Sequence, residues 1–255
     1  MQTNGKSDTV FITGATSGFG AAMARCFAGR GWNVIATGRR ADRLRALRDE
    51  LGPQVHTVEM DVRDRESVRL AIDSLPAEMG RVRALVNNAG LALGTTPAQE
   101  CSLDDWDVMV ETNIQGMLYA TRLLLPRLIE YGAGAGIVNL GSVAGNWPYP
   151  GSHVYGASKA FVKQFSLNLR CDLLGTGVRV TNIEPGLSES EFSLVRFGGD
   201  QSKYDAVYRD AHPLQPEDIA ETVFWVLSRP AHININNLEI MPVTQAWSNF
   251  AIRRD

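Results

Sequence analysis

Thr13-Gly14-Ala15-Thr16-Ser17-Gly18-Phe19-Gly20 is the stretch whose reading decides the fold. It follows a short β-branched and aromatic run at 9–13 and opens onto Ala21-Ala22-Met23-Ala24-Arg25-Cys26-Phe27-Ala28, a helix-like segment. A strand, a glycine turn and a helix N-terminus in that order aim backbone N–H groups and the helix dipole at an anion. Gly14 allows the tight turn, Gly18 lets the backbone approach a pyrophosphate, and Gly20 lets the helix pack closely on the sheet. Thr16, Ser17 and Phe19 complete the turn as further candidate cofactor contacts. The spacing is G-x-x-x-G-x-G, not G-x-G-x-x-G, and taken alone the run could also be a glycine turn with no ligand.

Outward from this turn, strand and helix signals alternate along the chain. Strands are predicted at 9–13, 33–37, 54–60, 83–87, 136–141, 178–184 and 236–240. Helices are predicted at 19–30, 42–51, 64–74, 103–131, 153–174 and 216–228, with Ser102 and Pro216-Glu217-Asp218 at helix starts. The alternation predicts one α/β domain over 1–255, a doubly wound parallel sheet with helices on both faces and right-handed crossovers. Ligands then gather at the carboxyl ends of the strands. Thr13, Arg39, Asp61, Asn87, Ser142 and Pro185 all stand at such ends.

Each strand end carries its own chemistry. The second strand ends in Gly38-Arg39-Arg40, with Arg43 just beyond, where an acidic residue would hold the ribose hydroxyls of NAD. Guanidinium groups instead favour a 2′-phosphate, so the cofactor reading is NADP(H); the alternative is two exposed arginines at a helix start. Asp61-Val62 ends the third strand beside the expected adenine position. Leu85-Val86-Asn87-Asn88-Ala89-Gly90 is an apolar strand closed by amides and a glycine, able to tie strand ends together and line the cofactor edge.

The run His153-Val154-Tyr155-Gly156-Ala157-Ser158-Lys159-Ala160 places a phenol and an ammonium one turn apart on a single helix face. An ammonium ~4 Å from a phenol contributes roughly 4 kcal/mol at an effective dielectric of ~20. That is about 3 pK units, enough to bring a phenol of reference pKa ~10 near 7, where acid–base catalysis works best. In isolation the pair would also fit a solvated surface helix.

TGATSGFG, NNAG, Ser142 in Asn139-Leu140-Gly141-Ser142, Tyr155-x-x-x-Lys159 and Pro185-Gly186 together resemble the short-chain dehydrogenase/reductase family, from about Thr9 to Pro242. Within it the chain is most similar to sulfoacetaldehyde reductases and NADP-dependent 3-hydroxy acid (serine) dehydrogenases. The segments Asn88 to Gly94, Trp147-Pro148-Tyr149, Gln164 to Arg170, Val195-Arg196-Phe197 and Pro230 to Asn236 carry that nearer likeness. The resemblance implies that Ser142, Tyr155, Lys159 and Asn113 are catalytic. Lys159 would also hold the nicotinamide ribose, Asn113 would anchor a water relay, and Asn88, Ala89, Gly90, Pro185, Gly186 and Ser190 would line the cofactor. Read alone, a mid-helix Asn113 more often means a bend. The family's threonine near position 190 is here Ser190, which keeps the hydroxyl but not the methyl.

The resemblance also implies a small anionic substrate. The aromatic loop Gly145-Asn146-Trp147-Pro148-Tyr149-Pro150-Gly151 offers Asn146 and Tyr149 as substrate contacts, or is simply a packing loop. Arg196 is the candidate partner for a carboxylate or sulfonate, or else a surface arginine. The segment 187–197 lacks the glycine-containing loop associated with the 3-hydroxy acid dehydrogenases. It favours sulfoacetaldehyde reduced to isethionate over a 3-hydroxy acid such as serine or 3-hydroxypropionate. His153 could bind the anion or cap its helix. The tail 245–255 has no obvious place in the sheet and is expected at a subunit interface of a homo-oligomer, with a tetramer implied by the family. Arg253 or Arg254 would then reach a neighbouring site. A non-catalytic NADP-sensing protein is the rival of another class, and a sugar-nucleotide epimerase or dehydratase a second; the intact Ser142, Tyr155 and Lys159 speak against the first.

Composition bounds these readings. The chain has 255 residues, 44% of them hydrophobic, and a net charge of −3 without a basic tract, which argues against nucleic-acid binding. Cys26, Cys101 and Cys171 are widely spaced with no CxxC, which suits a reducing cytoplasm and no metal. Residues 1–8 are polar and lack a signal-peptide core, and the apolar helix at 117–129 is interrupted by Arg122, Pro126 and Arg127, so no membrane association is expected.

Overall fold

The structure is a computed structural model that describes residues 7–247. Its seven parallel strands are β1 (Thr9–Ile12), β2 (Asn33–Gly38), β3 (Val55–Glu59), β4 (Val82–Asn87), β5 (Gly136–Leu140), β6 (Arg179–Pro185) and β7 (Asn237–Ile240). They lie in the order β3-β2-β1-β4-β5-β6-β7. The helices are α1 (Gly18–Ala28), α2 (Ala41–Leu51), α3 (Arg65–Asp73), α4 (Leu103–Val110), α5 (Gly116–Tyr131), α6 (His153–Asp172), α7 (Glu191–Arg196), α8 (Gln201–Tyr208) and α9 (Pro216–Leu227).

Strand alternation feeds two apolar layers, one per face of the sheet. Val10 and Ile12 of β1 join Met23 and Phe27 of α1 and Ile219 and Val223 of α9. Phe11 between them points the other way, to Leu124 and Leu128 of α5 and Leu169 of α6. Phe11 is fully buried, and truncating such a side chain to alanine costs about 3–5 kcal/mol. Sequence order reverses direction between β1 and β4, the switch point at which an open parallel sheet leaves a crevice at its carboxyl edge.

The predicted strands and helices form within a residue or two of their expected limits, with two differences. The expected helix 103–131 is interrupted by a π-helical turn, Glu111–Gln115, between α4 and α5. Two short helices, α7 and α8, occupy the stretch before α9, where the sequence reading places no element. Ser190 caps α7 by accepting from Phe192 N at 3.3 Å, and Asp200 caps α8 by accepting from the N–H groups of Ser202 and Lys203. Ser102 is the N-cap of α4 but makes no side-chain cap, whereas Gln215 and Asp218 form a capping box before α9. Among the described residues, no helix is long and apolar enough to cross a membrane, and no three metal-ligating side chains cluster.

Candidate active site

A cavity of about 640 Å³ opens at the carboxyl edge of the sheet. Its wall takes in the candidate cofactor residues named above except Gly20, Arg43 and Asn87, together with Ser142, Tyr149, Tyr155 and Arg196. The turn after β1 shapes one end. Gly14 sits at φ +69°, and a Cβ there would stand 2.9 Å from the Ala89 Cα. A Cβ on Gly20 would stand 2.2 Å from the Gly14 carbonyl oxygen, so α1 packs against the turn as closely as a missing side chain allows. Asn88 locks the arrangement by donating its amide to the Thr13 and Gly14 carbonyls at 2.9 and 3.0 Å. Deeper, Asn87 donates to Asn139 at 2.8 Å and so ties β4 to β5. The first turn of α1 begins at Gly18 with no side-chain cap, which leaves its N–H groups facing the cavity as an anion cradle.

Two of the arginines after β2 have different surroundings. Arg40 donates to Thr16 Oγ1 at 3.0 Å and to Ser17 Oγ at 2.7 Å, and it also pairs with Glu191. Arg39 is exposed on the cavity wall and makes no side-chain hydrogen bond or ion pair among the described residues. Asp61 is held below the usual carboxylate range by the Arg63 guanidinium, which bonds it at 2.7 Å. The glycine cradle, the guanidinium of Arg39 and a strand end that carries arginines where a carboxylate would hold ribose hydroxyls together fit a dinucleotide bearing a 2′-phosphate.

At the other end, α6 brings Tyr155 and Lys159 to the wall, both buried. The expected short phenol–ammonium contact is not what forms. Lys159 Nζ donates to the Leu140 carbonyl at 2.7 Å and lies 5.8 Å from the Tyr155 ring centre. Burial pushes the Tyr155 phenol up to about 12, against a downward pull from the Ser142 hydroxyl. Burial pushes Lys159 down to about 8. Desolvation therefore outweighs attraction, and the phenol stays protonated at neutral pH instead of being poised near 7. Ser142 caps the short turn Val143–Gly145 by accepting from Ala144 N at 3.1 Å, which leaves its own hydroxyl hydrogen free to donate.

Asn113 lies in the π-helical turn, behind the wall. Its side chain accepts from Leu91 N and donates to Leu91 O, both at 2.8 Å, and donates to Ser158 Oγ at 3.0 Å. With that side chain fully occupied, it anchors the turn after β4 to α6 beside Lys159.

Of the candidate substrate residues, Arg196 and Tyr149 meet. Arg196 Nη1 donates to Tyr149 Oη at 3.0 Å, and its guanidinium carbon lies 6.0 Å from the Tyr155 ring centre. Phe192, which the sequence reading did not single out, packs against Tyr155 with ring centres 5.4 Å apart. Asn146 corrects its expectation. Its amide donates to Glu184 at 2.8 Å and accepts from Lys163 at 2.9 Å, so it points away from the cavity. Glu184 is 1% exposed, and a buried carboxylate must find donors, which Asn146 supplies. His153 likewise faces elsewhere, toward Cys101 at 3.1 Å and Val154 N at 3.0 Å. Gln245 lines the cavity and accepts from Leu187 N at 2.7 Å, so the start of the tail docks on its own chain. The rest of the tail, with the interface role expected of Arg253 or Arg254, lies outside the described residues.

The sequence profile described as short chain dehydrogenase matches residues 8–196. Sulfoacetaldehyde reductase 2 of Chromohalobacter salexigens is 62% identical over 251 residues, covering 98% of this chain and 100% of that protein. The NADP-dependent 3-hydroxy acid dehydrogenase YdfG of Escherichia coli K12 is 53% identical over 246 residues, covering 96% and 99%. Among solved structures, the closed form of serine dehydrogenase complexed with NADP+ superposes with a TM-score of 0.95 at 52% identity, covering 97% of this chain and 100% of that one. The chain belongs to the short-chain dehydrogenase family and is an oxidoreductase.

Proposed function

We propose that the protein reduces a short anionic aldehyde with NADPH, sulfoacetaldehyde to isethionate first among the candidates, and runs the reverse oxidation when conditions favour it. The observation that carries this reading is the placement of Arg196 beside Tyr155 across one small cavity. A carbonyl held by Tyr155 and Ser142 leaves an acid group one or two carbons away within reach of the guanidinium. NADP(H), when bound along the glycine cradle with its 2′-phosphate toward Arg39 and Arg40, supplies or accepts the hydride.

The chain's own residues do the rest. Ser142 holds the carbonyl oxygen, and Tyr155, protonated at neutral pH, gives that oxygen its proton as the alcohol forms. Lys159 stands one turn from Tyr155, its ammonium placed to offset the phenolate charge left when that proton goes, and Asn113 keeps the adjoining turn in place. Phe192 and Tyr149 narrow the cavity beside Tyr155 toward a small substrate. Asp61, Val62, Ala89, Gly90, Pro185, Gly186 and Ser190 form the remaining wall of the cofactor groove.

Both named relatives support an acid-bearing substrate, and their names differ on which acid. Reduction of malonic semialdehyde, or oxidation of serine and other 3-hydroxy acids, is the second reading, favoured by the serine dehydrogenase likeness. Incubation with sulfoacetaldehyde and NADPH, followed by NMR identification of the product, tests the first. Isethionate formed in step with NADPH consumption supports it. No isethionate, with malonic semialdehyde consumed in parallel, replaces it with the second.

We extend the proposal to a cytoplasmic homo-oligomer, a tetramer by family analogy. Exposed Leu103, Phe161, Trp225 and Val243 support covered faces. A monomeric mass by light scattering would remove that part.

A further inference from the structure

The reaction above makes no use of Glu191, yet this side chain makes a double ion pair across the mouth of the site. It accepts from Arg43 Nη1 at 2.6 Å and from Arg40 Nη1 at 3.0 Å. The two arginines stand at the start of α2, on the cofactor side; Glu191 is the first residue of α7, in the segment that roofs the cavity. Burial raises its carboxyl, but the hydrogen bonds from Arg43 and Arg40 win and hold it below the ordinary glutamate range. Next to it, Ser190 Cβ lies 3.4 Å from where a Cβ on Gly18 would stand, so the start of α7 rests on the cofactor cradle.

The other end of α7 is tied to the opposite wall. Gly94 N donates to the Arg196 carbonyl at 3.1 Å, and the Arg196 side chain reaches Tyr149. A six-residue helix has little cohesion of its own. Its position over the groove is set by these two end ties together with Phe192 against Tyr155 and the Ser193 hydroxyl 2.6 Å from the Tyr208 hydroxyl. The tie at Glu191 involves half-exposed groups, with 40–41% of each side chain accessible. Such pairs contribute little to global stability, so their effect falls on the segment they hold.

Charge balance explains why one acid can sit among cofactor-binding arginines without spoiling them. Glu191 is shared by Arg40 and Arg43, and Arg39, which makes no ion pair among the described residues, keeps its charge at the cavity wall. Arg39 stays free for the phosphate while Arg40 and Arg43 hold the roof.

We propose that Glu191 is a positioning residue that latches α7 over the bound dinucleotide through Arg40 and Arg43, and so sets cofactor residence time and substrate affinity. The proposal rests on the NADP(H) reading above. The test uses the full-length protein with Glu191→Gln, Arg43→Gln and the double variant. NADPH dissociation is followed by stopped-flow fluorescence, and KM and kcat are measured with sulfoacetaldehyde or, if that is not a substrate, malonic semialdehyde. Each single variant is expected to speed NADPH release and raise the aldehyde KM by about fivefold or more, a coupling of ordinary size between neighbouring elements. The melting temperature should stay close to wild type, kcat should change less than KM, and Glu191→Asp should recover part of the loss. The double variant should be no worse than either single one, because both remove one latch. Release and KM within about twofold of wild type in folded Glu191→Gln, or additive losses in the double variant, would overturn the latch. The cofactor reading is judged separately, by the wild-type Kd for NADPH against NADH.

Discussion

Lys159 and Tyr155 stand one turn apart on α6, yet the ammonium turns to the Leu140 carbonyl at 2.7 Å and leaves the phenol ring 5.8 Å away. Both groups are buried, and each is pushed toward its neutral form: the phenol up to about 12, the amine down to about 8. In this state Tyr155 is a proton donor, the role that carbonyl reduction requires.

Tyr155→Phe is expected to lower the reduction rate by about 10²-fold or more, because it removes the acid–base group while leaving the ring in place. NADPH affinity and the circular dichroism spectrum should be retained. Near-normal turnover in the folded variant would remove Tyr155 from the chemistry.

Lys159 carries a stability cost whose sign is fixed by its depressed pKa. The unfolded chain holds that proton up to about 10.5 and the folded protein only to about 8. Between these values the unfolded state binds more protons, so stability rises with pH; below about 8 the penalty is present in full. Lys159→Met should therefore lower turnover while leaving the cofactor-free protein at least as stable at pH 7, by something on the order of 1–3 kcal/mol. The difference from wild type should shrink toward pH 10.5. Calorimetry across that range checks it, and a large loss of melting temperature at pH 7 would contradict it.

Arg39 and Arg40 differ in their surroundings, so single substitutions separate their roles. Arg39 has no side-chain partner among the described residues, so Arg39→Ala alone should weaken NADPH by roughly 10–100-fold and NADH hardly at all. Arg40→Ala also loosens Thr16, Ser17 and Glu191, so it should affect both cofactors. Titration of protein fluorescence with each dinucleotide reads the ratio; an unchanged preference in Arg39→Ala would refute its 2′-phosphate role.

Arg196→Gln should raise KM for an acid-bearing aldehyde by roughly 10–100-fold, the cost of an unpaired anion. Because Arg196 also ties α7 to Tyr149, a neutral aldehyde of the same length is the necessary control. Equal losses with both substrates would reduce Arg196 to a structural tie.

The parts of this molecule that were legible in its sequence are those written locally. Glycine spacing marks the turn after β1, strand-length apolar runs mark the sheet, and Tyr155 and Lys159 share a helix face whatever surrounds them. What was not legible depends on distant partners. The π-helical turn at Asn113 is held by Leu91 and Ser158, far away in the chain. Asn146 was expected at the substrate because nothing local shows that Glu184 is buried and needs its amide. The phenol's expected fall toward neutrality reversed because burial outweighs attraction, and Lys159 turns instead to the Leu140 carbonyl on a different element. Helices α7 and α8 are short, and α7 is held by partners far off in the chain, Arg40, Arg43, Tyr149 and Tyr155, which no local pattern reveals.

The central claim is NADPH-dependent reduction of an anionic aldehyde at Tyr155, with the sulfonate preferred. Its most direct test is kcat/KM for sulfoacetaldehyde and malonic semialdehyde, each with NADPH and NADH. The expected result is a preference of about tenfold or more for the sulfonate and for NADPH, a difference of one good charged contact for each. Equal or better use of the carboxylate would assign the protein to 3-hydroxy acid metabolism, and equal use of NADH would undo the reading of the arginines after β2.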